Sequence, residues 1–74
     1  MYQAINKQQA KRLYSSGGQV VLVPSSHDVN AEWSKKIKVS KKTHFLPFDR
    51  LDKLIAEYHT IARDNNKLAY YIED

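Results

Sequence analysis

The first quarter of the chain places its apolar residues with the period of a helix. Three of them would share one face of a helix over residues 7–16: Ala10, Leu13 and Tyr14. Asn6 is a favoured N-cap residue, and Gln9 three positions later completes a capping box. Gly17 and Gly18 would end the helix, because glycine adopts the left-handed C-cap conformation without steric cost.

The next segment is apolar without interruption. Residues 20–23 read Val-Val-Leu-Val between the two glycines and Pro24, a pattern typical of a strand that is buried on both faces and therefore central in its sheet. Pro24 cannot donate a ladder hydrogen bond and should end this strand. Residues 25–32 are polar and rich in turn-forming residues, which indicates a loop.

A basic segment follows, reading WSKKIKVSKK over residues 33–42. Ile37 and Val39 alternate with polar residues, which is the two-residue period of a half-buried edge strand with lysines on its outer face. A mobile basic loop is the competing interpretation. Residues 25–44 are therefore predicted to be a polar and basic segment that is either loop or edge strand.

The strongest helical pattern begins after the sequence HFLP. Its apolar stripe comprises Leu51, Leu54, Ile55, Tyr58, Ile61 and Ala62. We predict that Asp49 caps this helix, that Arg63 in the last turn complements the helix dipole, and that residues 65–66 supply a left-handed exit. Residues 67–73 then alternate as a strand with Leu68, Tyr70 and Ile72 on one face.

These elements predict a single domain over residues 1–74. Two amphipathic helices packed on one face of a small three- or four-stranded sheet would bury every apolar stripe. The predicted class is α+β, two layers, with the element order α-β-(β)-α-β. A further short strand at residues 2–5 would supply the fourth strand.

Composition is that of a globular domain, at 42% hydrophobic and 27% charged residues. The chain has no cysteine, so disulfides and thiolate metal sites are excluded. No apolar run approaches the roughly 18 residues of a membrane-spanning helix, and the first residues lack a signal-peptide core. A cytoplasmic protein without a membrane partner is expected.

The net charge of +4 is spread unevenly. Residues 1–27 carry +3, residues 28–48 carry +3 and residues 49–74 carry −2. A local basic field attracts polyanions, so the first two-thirds of the chain are where such a partner would bind.

No pattern for catalysis or metal binding stands out. Residues 26–28 read Ser-His-Asp, but neighbouring side chains generally point apart, whereas a triad must converge. His27, His44 and His59 do not have the spacing of metal ligands. The glycine pair lies between a helix and a strand, the reverse of a phosphate-binding loop. We expect no enzyme, no cofactor and no metal.

The lysines are the candidate functional residues, because lysine contacts phosphate and clustered lysines bind polyanions. A solvated strand face is the alternative for such a run. The candidate nucleic-acid-binding residues are Lys35, Lys36, Lys38, Lys41, Lys42 and Trp33, with Lys11 and Arg12 from the first helix. Tyr71, opposite in direction to Tyr70, is open to core packing or base stacking.

The stretches QAKRLYSSGGQVVLVPS and FDRLDKLIAEYHTIARDNNKLAYYI, with a Trp a short loop after the first, carry a resemblance. The chain resembles small uncharacterised accessory proteins of phages and conjugative elements of Gram-positive bacteria. The resemblance implies a mobile-element accessory protein in the cytoplasm of a bacterial host cell and supplies no site residues.

Two function hypotheses follow. The first is a small non-enzymatic module that binds nucleic acid through the lysine-rich edge segment. The second is a protein-interaction module that inhibits or adapts a host factor. An edge strand on a small sheet could also pair across a two-fold axis, which would give a dimer.

Overall fold

The computed structural model describes residues 1–59 and 67–74, and only the backbone of Tyr58 and His59. The elements along the chain are β1 (Tyr2–Ile5), α1 (Lys7–Ser15), β2 (Val20–Pro24), β3 (Ile37–Val39), α2 (Phe48–His59) and β4 (Leu68–Glu73). The α+β prediction is confirmed at this level. The order α-β-(β)-α-β is not fully matched, because the short strand suggested at residues 2–5 does form, as β1, and the order is β-α-β-β-α-β.

The four strands form one antiparallel sheet in the order β1-β4-β2-β3. Strands β1 and β2 both run antiparallel to β4 and are therefore parallel to each other, with α1 between them in the chain. Strands β3 and β4 both run antiparallel to β2 and are therefore also parallel to each other, with α2 between them in the chain. The fold thus consists of two interleaved split β-α-β units, with β1 and β3 at the edges.

The capping box of α1 forms as its sequence predicts. The Asn6 side chain accepts from the Gln9 backbone N–H at 2.8 Å, and the Gln9 side chain accepts from the Asn6 backbone N–H at 2.9 Å. The helix ends at Ser15, and Gly17 takes a φ of 94°. A Cβ at Gly18 would collide with the Leu13 side chain, so a larger residue there would require Leu13 to shift.

Helix α2 begins two residues earlier than the sequence suggests, since an N-cap at Asp49 would place the first helical residue at 50. It starts at Phe48, the Pro47 carbonyl accepts from the Leu51 N–H at 3.0 Å, and Asp49 lies inside the first turn. The prediction that Asp49 caps the helix is therefore wrong. The physical reason is that the Phe48 side chain enters the core, where only 3% of it is exposed, so the first turn of the helix already includes Phe48 and Asp49.

Only part of the predicted α2 stripe can be compared with the structure. Leu51 and Ile55 are buried as expected, whereas Leu54 is 36% exposed and belongs to the outer face. The predictions for the Tyr58 side chain and for residues 60–66, which cover Ile61, Ala62, Arg63, Asn65 and Asn66, lie outside the described residues.

The main core lies between the helices and the sheet. Its buried members are Ala10, Tyr14, Val20, Leu22, Val39, Phe48, Leu51 and Ile55. Leu68 and Tyr70 of β4 pack against this core from the same face of the sheet, as the alternation predicts. Strand β2 is buried along its whole length and lies between β4 and β3, which confirms a central strand ended by Pro24.

The opposite face of the sheet carries a second, smaller core. Val21 and Val23 are fully buried there under Val29. Val29 belongs to residues 25–32, which the sequence indicates only as a polar loop, so the loop supplies a hydrophobic cover that its composition hides. Tyr2 and Tyr71 pack against this cluster.

The strand interpretation of the basic segment is confirmed, but the strand is short. Strand β3 covers only Ile37–Val39 and pairs with β2. Ser40 leaves the sheet in a turn closed by the Thr43 N–H, which donates to the Ser40 carbonyl at 3.1 Å. None of the helices among residues 1–59 and 67–74 is long and apolar enough to cross a membrane.

Candidate nucleic-acid interface

Strand β3 separates the predicted lysines into two groups. Ile37 pairs with Leu22, and Val39 pairs with Val20 at the start of β2. Lys35 and Lys36 therefore lie toward the end of β2 that Pro24 occupies, while residues 41–42 lie toward the turn between α1 and β2. An extended chain of this length spans up to roughly 20 Å, so the two groups form separate surfaces.

Lys38 points to the sheet face opposite the helices, where its charge is already paired. Its Nζ lies 2.8 Å from a carboxylate oxygen of Glu73. That hydrogen bond raises the pKa of Lys38 and lowers the pKa of Glu73, with a smaller lowering from Tyr2. Partial burial, followed by the contact with Glu73, raises the pKa of Tyr2. Lys38 is thus a structural partner of β4.

Lys36 also has a local structural contact. Its Nζ donates to the Ala31 carbonyl at 2.8 Å and so ties the residue 25–36 loop to the start of β3. Lys35 is exposed, and its backbone N–H donates to Nδ1 of His27 at 3.3 Å. The sequence does not indicate either contact, because both depend on how the loop folds back.

Trp33 lies on the loop side of β3 and is 66% exposed. Its ring meets the His27 ring edge-on, with the centroids 4.9 Å apart. His27 thus contacts both Trp33 and Lys35. These contacts indicate that His27 stabilises the folded loop.

Beyond the other end of β3, the chain forms a cleft of about 520 Å³ against α1. It is lined by Lys11, Tyr14 and Ser15 from α1, by Lys41, and by residues 44–49. We call this the basic cleft. It brings together two of the sequence-predicted lysines, Lys11 and Lys41, from segments 30 positions apart in the sequence.

The floor of the basic cleft is aromatic. Tyr14 is fully buried and Phe48 is 3% exposed, and their rings are tilted with centroids 5.6 Å apart. Phe45 at the rim is 93% exposed. An apolar side chain that is almost wholly in water gains nothing for folding, so Phe45 is not explained by the core.

The Tyr14 hydroxyl holds the wall of the cleft in place. It donates to the Leu46 carbonyl at 2.7 Å and lies 3.1 Å from the His44 carbonyl. These two carbonyls flank Phe45, so one buried hydroxyl fixes the backbone on both sides of the exposed ring. His44 is held from its other side by Thr43 Oγ1, which lies 2.8 Å from Nδ1.

One acidic group lies in the basic cleft beside the lysines. Lys11 Nζ is 2.7 Å from Oδ2 of Asp49. This hydrogen bond is the main cause of the lowered pKa of Asp49, and burial opposes it. The pair is exposed, so water screens it and the Lys11 ammonium can exchange Asp49 for a phosphate oxygen.

The remaining predicted residues border the same surface. Arg12 lines a second, shallower depression on α1 that shares Lys11 and Ser15 with the basic cleft. Lys42 is exposed beside Lys41. Within residues 1–59 and 67–74, no ion pair involves Arg12, Lys41 or Lys42, so their charges are available to a partner.

Sequence reasoning missed residues 44–49 as part of the site. The signal was the apolar pair Phe45 and Leu46, followed by Pro47 and Phe48. From sequence this run reads as core, and only the structure separates the buried Phe48 from the exposed Phe45. Across the described part of the chain, no group of three or more His, Asp or Glu side chains could hold a metal ion.

Comparison with known proteins gives no further guide, since no family model, curated protein or solved structure matches the chain.

Proposed function

We propose that the protein is a small non-enzymatic module that binds nucleic acid through the basic cleft and the lysines beside it. The observation that supports this most is the juxtaposition of Lys11 and Lys41 with the exposed ring of Phe45. Basic side chains bind phosphates, and an exposed aromatic ring offers a surface to bases. A role as an accessory protein of a mobile element belongs to the same proposal and rests on the sequence resemblance.

Within the proposal, the candidate residues differ in role. Lys41, Lys42, Lys11 and Arg12 would contact phosphates around the basic cleft. Lys35 and Trp33 lie toward the other end of β3, outside this contact. Lys36 and Lys38 already have structural partners, Ala31 and Glu73, and would contribute less.

The test is a fluorescence anisotropy titration of a labelled oligonucleotide at several salt concentrations. Four cations around the cleft would give a slope of log K against log salt of about −2 to −3 for a single strand. Replacing Lys41 and Lys42 by Gln should make the slope less steep by about 1.4. Absence of binding at low salt would sink the proposal.

A matched control distinguishes binding at the basic cleft from an effect of the net charge of the protein. Lys53→Gln with Lys67→Gln removes the same charge elsewhere: Lys53 lies on α2, and Lys67 precedes Leu68, which pairs with Pro24 at the far end of β2. We expect this variant to keep most of the slope. Equal losses in the two double variants would mean that net charge, not the basic cleft, drives binding.

A second candidate function is protein interaction, for instance the inhibition or adaptation of a host factor. The observation that favours it is the exposure of two large aromatic side chains, Phe45 and Trp33, since exposed aromatics often anchor protein interfaces. Affinity capture from a nuclease-treated bacterial lysate would test it. A stoichiometric protein lost on Phe45→Ala supports this function, and recovery of no protein counts against it.

A further inference from the structure

We infer that the basic cleft selects single strands, by taking one unstacked base against Phe45 while the lysines hold the adjoining phosphates. This inference rests on the proposed function and names its substrate class. It concerns the shared chemistry of single-stranded DNA and RNA.

A base can stack on a protein ring only when one of its own faces is free. In a duplex the base faces are stacked on each other, so a protein aromatic ring can stack only on a base that has left the helix or was never in one. Phe45 is 93% exposed at the mouth of a concave site. A ring in that position can cover a base entering the cleft but cannot reach one inside a duplex.

The cleft is large enough for one base. Its volume is about 520 Å³, and its lining includes the apolar residues Phe45, Leu46 and Pro47. Ligand sites of this kind combine an apolar lining with a few polar groups at the rim. Here the rim carries Lys11, Lys41 and the Asp49 carboxylate. The lysines are complementary to the phosphates on either side of an inserted base.

The backbone that carries the ring is also anchored. The hydroxyl of Tyr14 holds the carbonyls on both sides of Phe45, at 2.7 Å and 3.1 Å. A segment whose backbone is already ordered loses less entropy when a ligand binds. The exposed ring of Phe45 therefore stands on an ordered backbone beside the lysines of the cleft.

The test compares four ligands of one length by anisotropy at one salt concentration: oligothymidine, oligouridine, a duplex, and an abasic strand with the same phosphates. Wild type should bind both single strands more tightly than the duplex and the abasic strand. Phe45→Ala should weaken single-strand binding by about 5- to 100-fold and leave the abasic strand and the duplex unchanged. Phe45→Trp should restore the affinity. Because the ring is exposed, truncating it leaves the fold intact.

Trp33→Ala is the matched control, since among the described side chains it removes a second highly exposed aromatic, at the far end of β3. It should leave the preference for single strands in place. Equal losses on normal and abasic strands for Phe45→Ala, or a larger loss for Trp33→Ala, would overturn the inference while the proposed function stands. If none of the four ligands binds at low salt, the proposed function fails first. Tight binding of only one of the two sugars would overturn the shared-chemistry claim.

Discussion

Tyr14 connects folding and function at the level of a single side chain. Its ring is fully buried in the main core, and its hydroxyl reaches the loop that forms the basic cleft. The sequence places the ring correctly, because the helical period puts it on the apolar face of α1. The partners of the hydroxyl lie 30 and 32 positions away, and no local pattern identifies them.

Tyr14→Phe keeps the ring and removes the hydroxyl. The carbonyls of His44 and Leu46 then lose their donor, so we expect the free energy of unfolding to fall by about 1–2 kcal/mol. We also expect weaker binding of single strands, because Phe45 is no longer held. Urea denaturation and anisotropy titration measure the two effects. A variant with unchanged stability and affinity would show that the hydroxyl does not fix the cleft.

Asp49 is the acidic residue that opposes phosphate binding in the basic cleft. Asp49→Asn removes the charge that competes with phosphate for Lys11, so we expect tighter binding of single strands at low salt. Asp28→Asn is the control, since an Asn side chain can still accept from the Asn30 N–H as Asp28 does at 3.0 Å. A gain in affinity that is equal in both variants would contradict a specific effect at the cleft.

At the scale of elements, a buried polar contact joins β4 to both helices. The Tyr70 hydroxyl donates to Oδ1 of Asp52 at 2.7 Å, and Lys7 of α1 lies 3.4 Å from Oδ2. Asp52 is only 9% exposed. Burial, and then the hydrogen bond to Asp52, raises the pKa of Tyr70 far above its usual 10.0.

Because of this raised pKa, the free energy of unfolding varies with pH in the alkaline range. The unfolded chain releases the Tyr70 proton near pH 10.0, whereas the folded protein retains it. The contribution of Tyr70 to the free energy of unfolding is therefore complete below pH 10 and declines as the pH rises above it. Tyr70→Phe should cost about 1–2 kcal/mol at pH 7, and its difference from wild type should narrow above pH 10. Urea midpoints from pH 7 to 11 measure this.

Charged side chains also lie near Tyr70, namely Lys7, Asp49 and Asp52. These residues are present in both wild type and the Tyr70→Phe variant, so their effects on the free energy of unfolding cancel in the comparison. A wild-type-to-variant difference that stays constant from pH 7 to 11 would contradict the raised pKa.

The positions of helices and strands could be predicted from sequence where the residues that determine them are close together in the chain. The capping box of Asn6 and Gln9, the glycine stop and the apolar run of β2 each lie within a few residues of sequence. The start of α2 was not predictable, because it depends on Phe48 entering a core built by α1 and β2. The cover that Val29 provides was missed for the same reason, since its partners Val21 and Val23 lie on a different element.

At the scale of the whole molecule, the fold divides the basic residues among separate surfaces. The basic first two-thirds of the chain do not form one patch, because β3 places Lys35 and Lys41 toward opposite ends of β2 and Lys38 pairs with Glu73. What the sequence presents as a single lysine cluster is three environments in space. The cleft that joins Lys41 to Lys11 arises from the packing of α1 against residues 44–49, which composition and periodicity do not encode.

The central claim is that the basic cleft is the surface that binds nucleic acid. A titration of ¹⁵N-labelled protein with an unlabelled single strand, followed by amide NMR, tests it most directly. We predict that the largest shifts fall on residues 11–15 and 41–49, while the indole N–H of Trp33 and the amide of Tyr71 change little. The largest shifts on the Tyr71 face of the sheet, or none at low salt, would contradict the account.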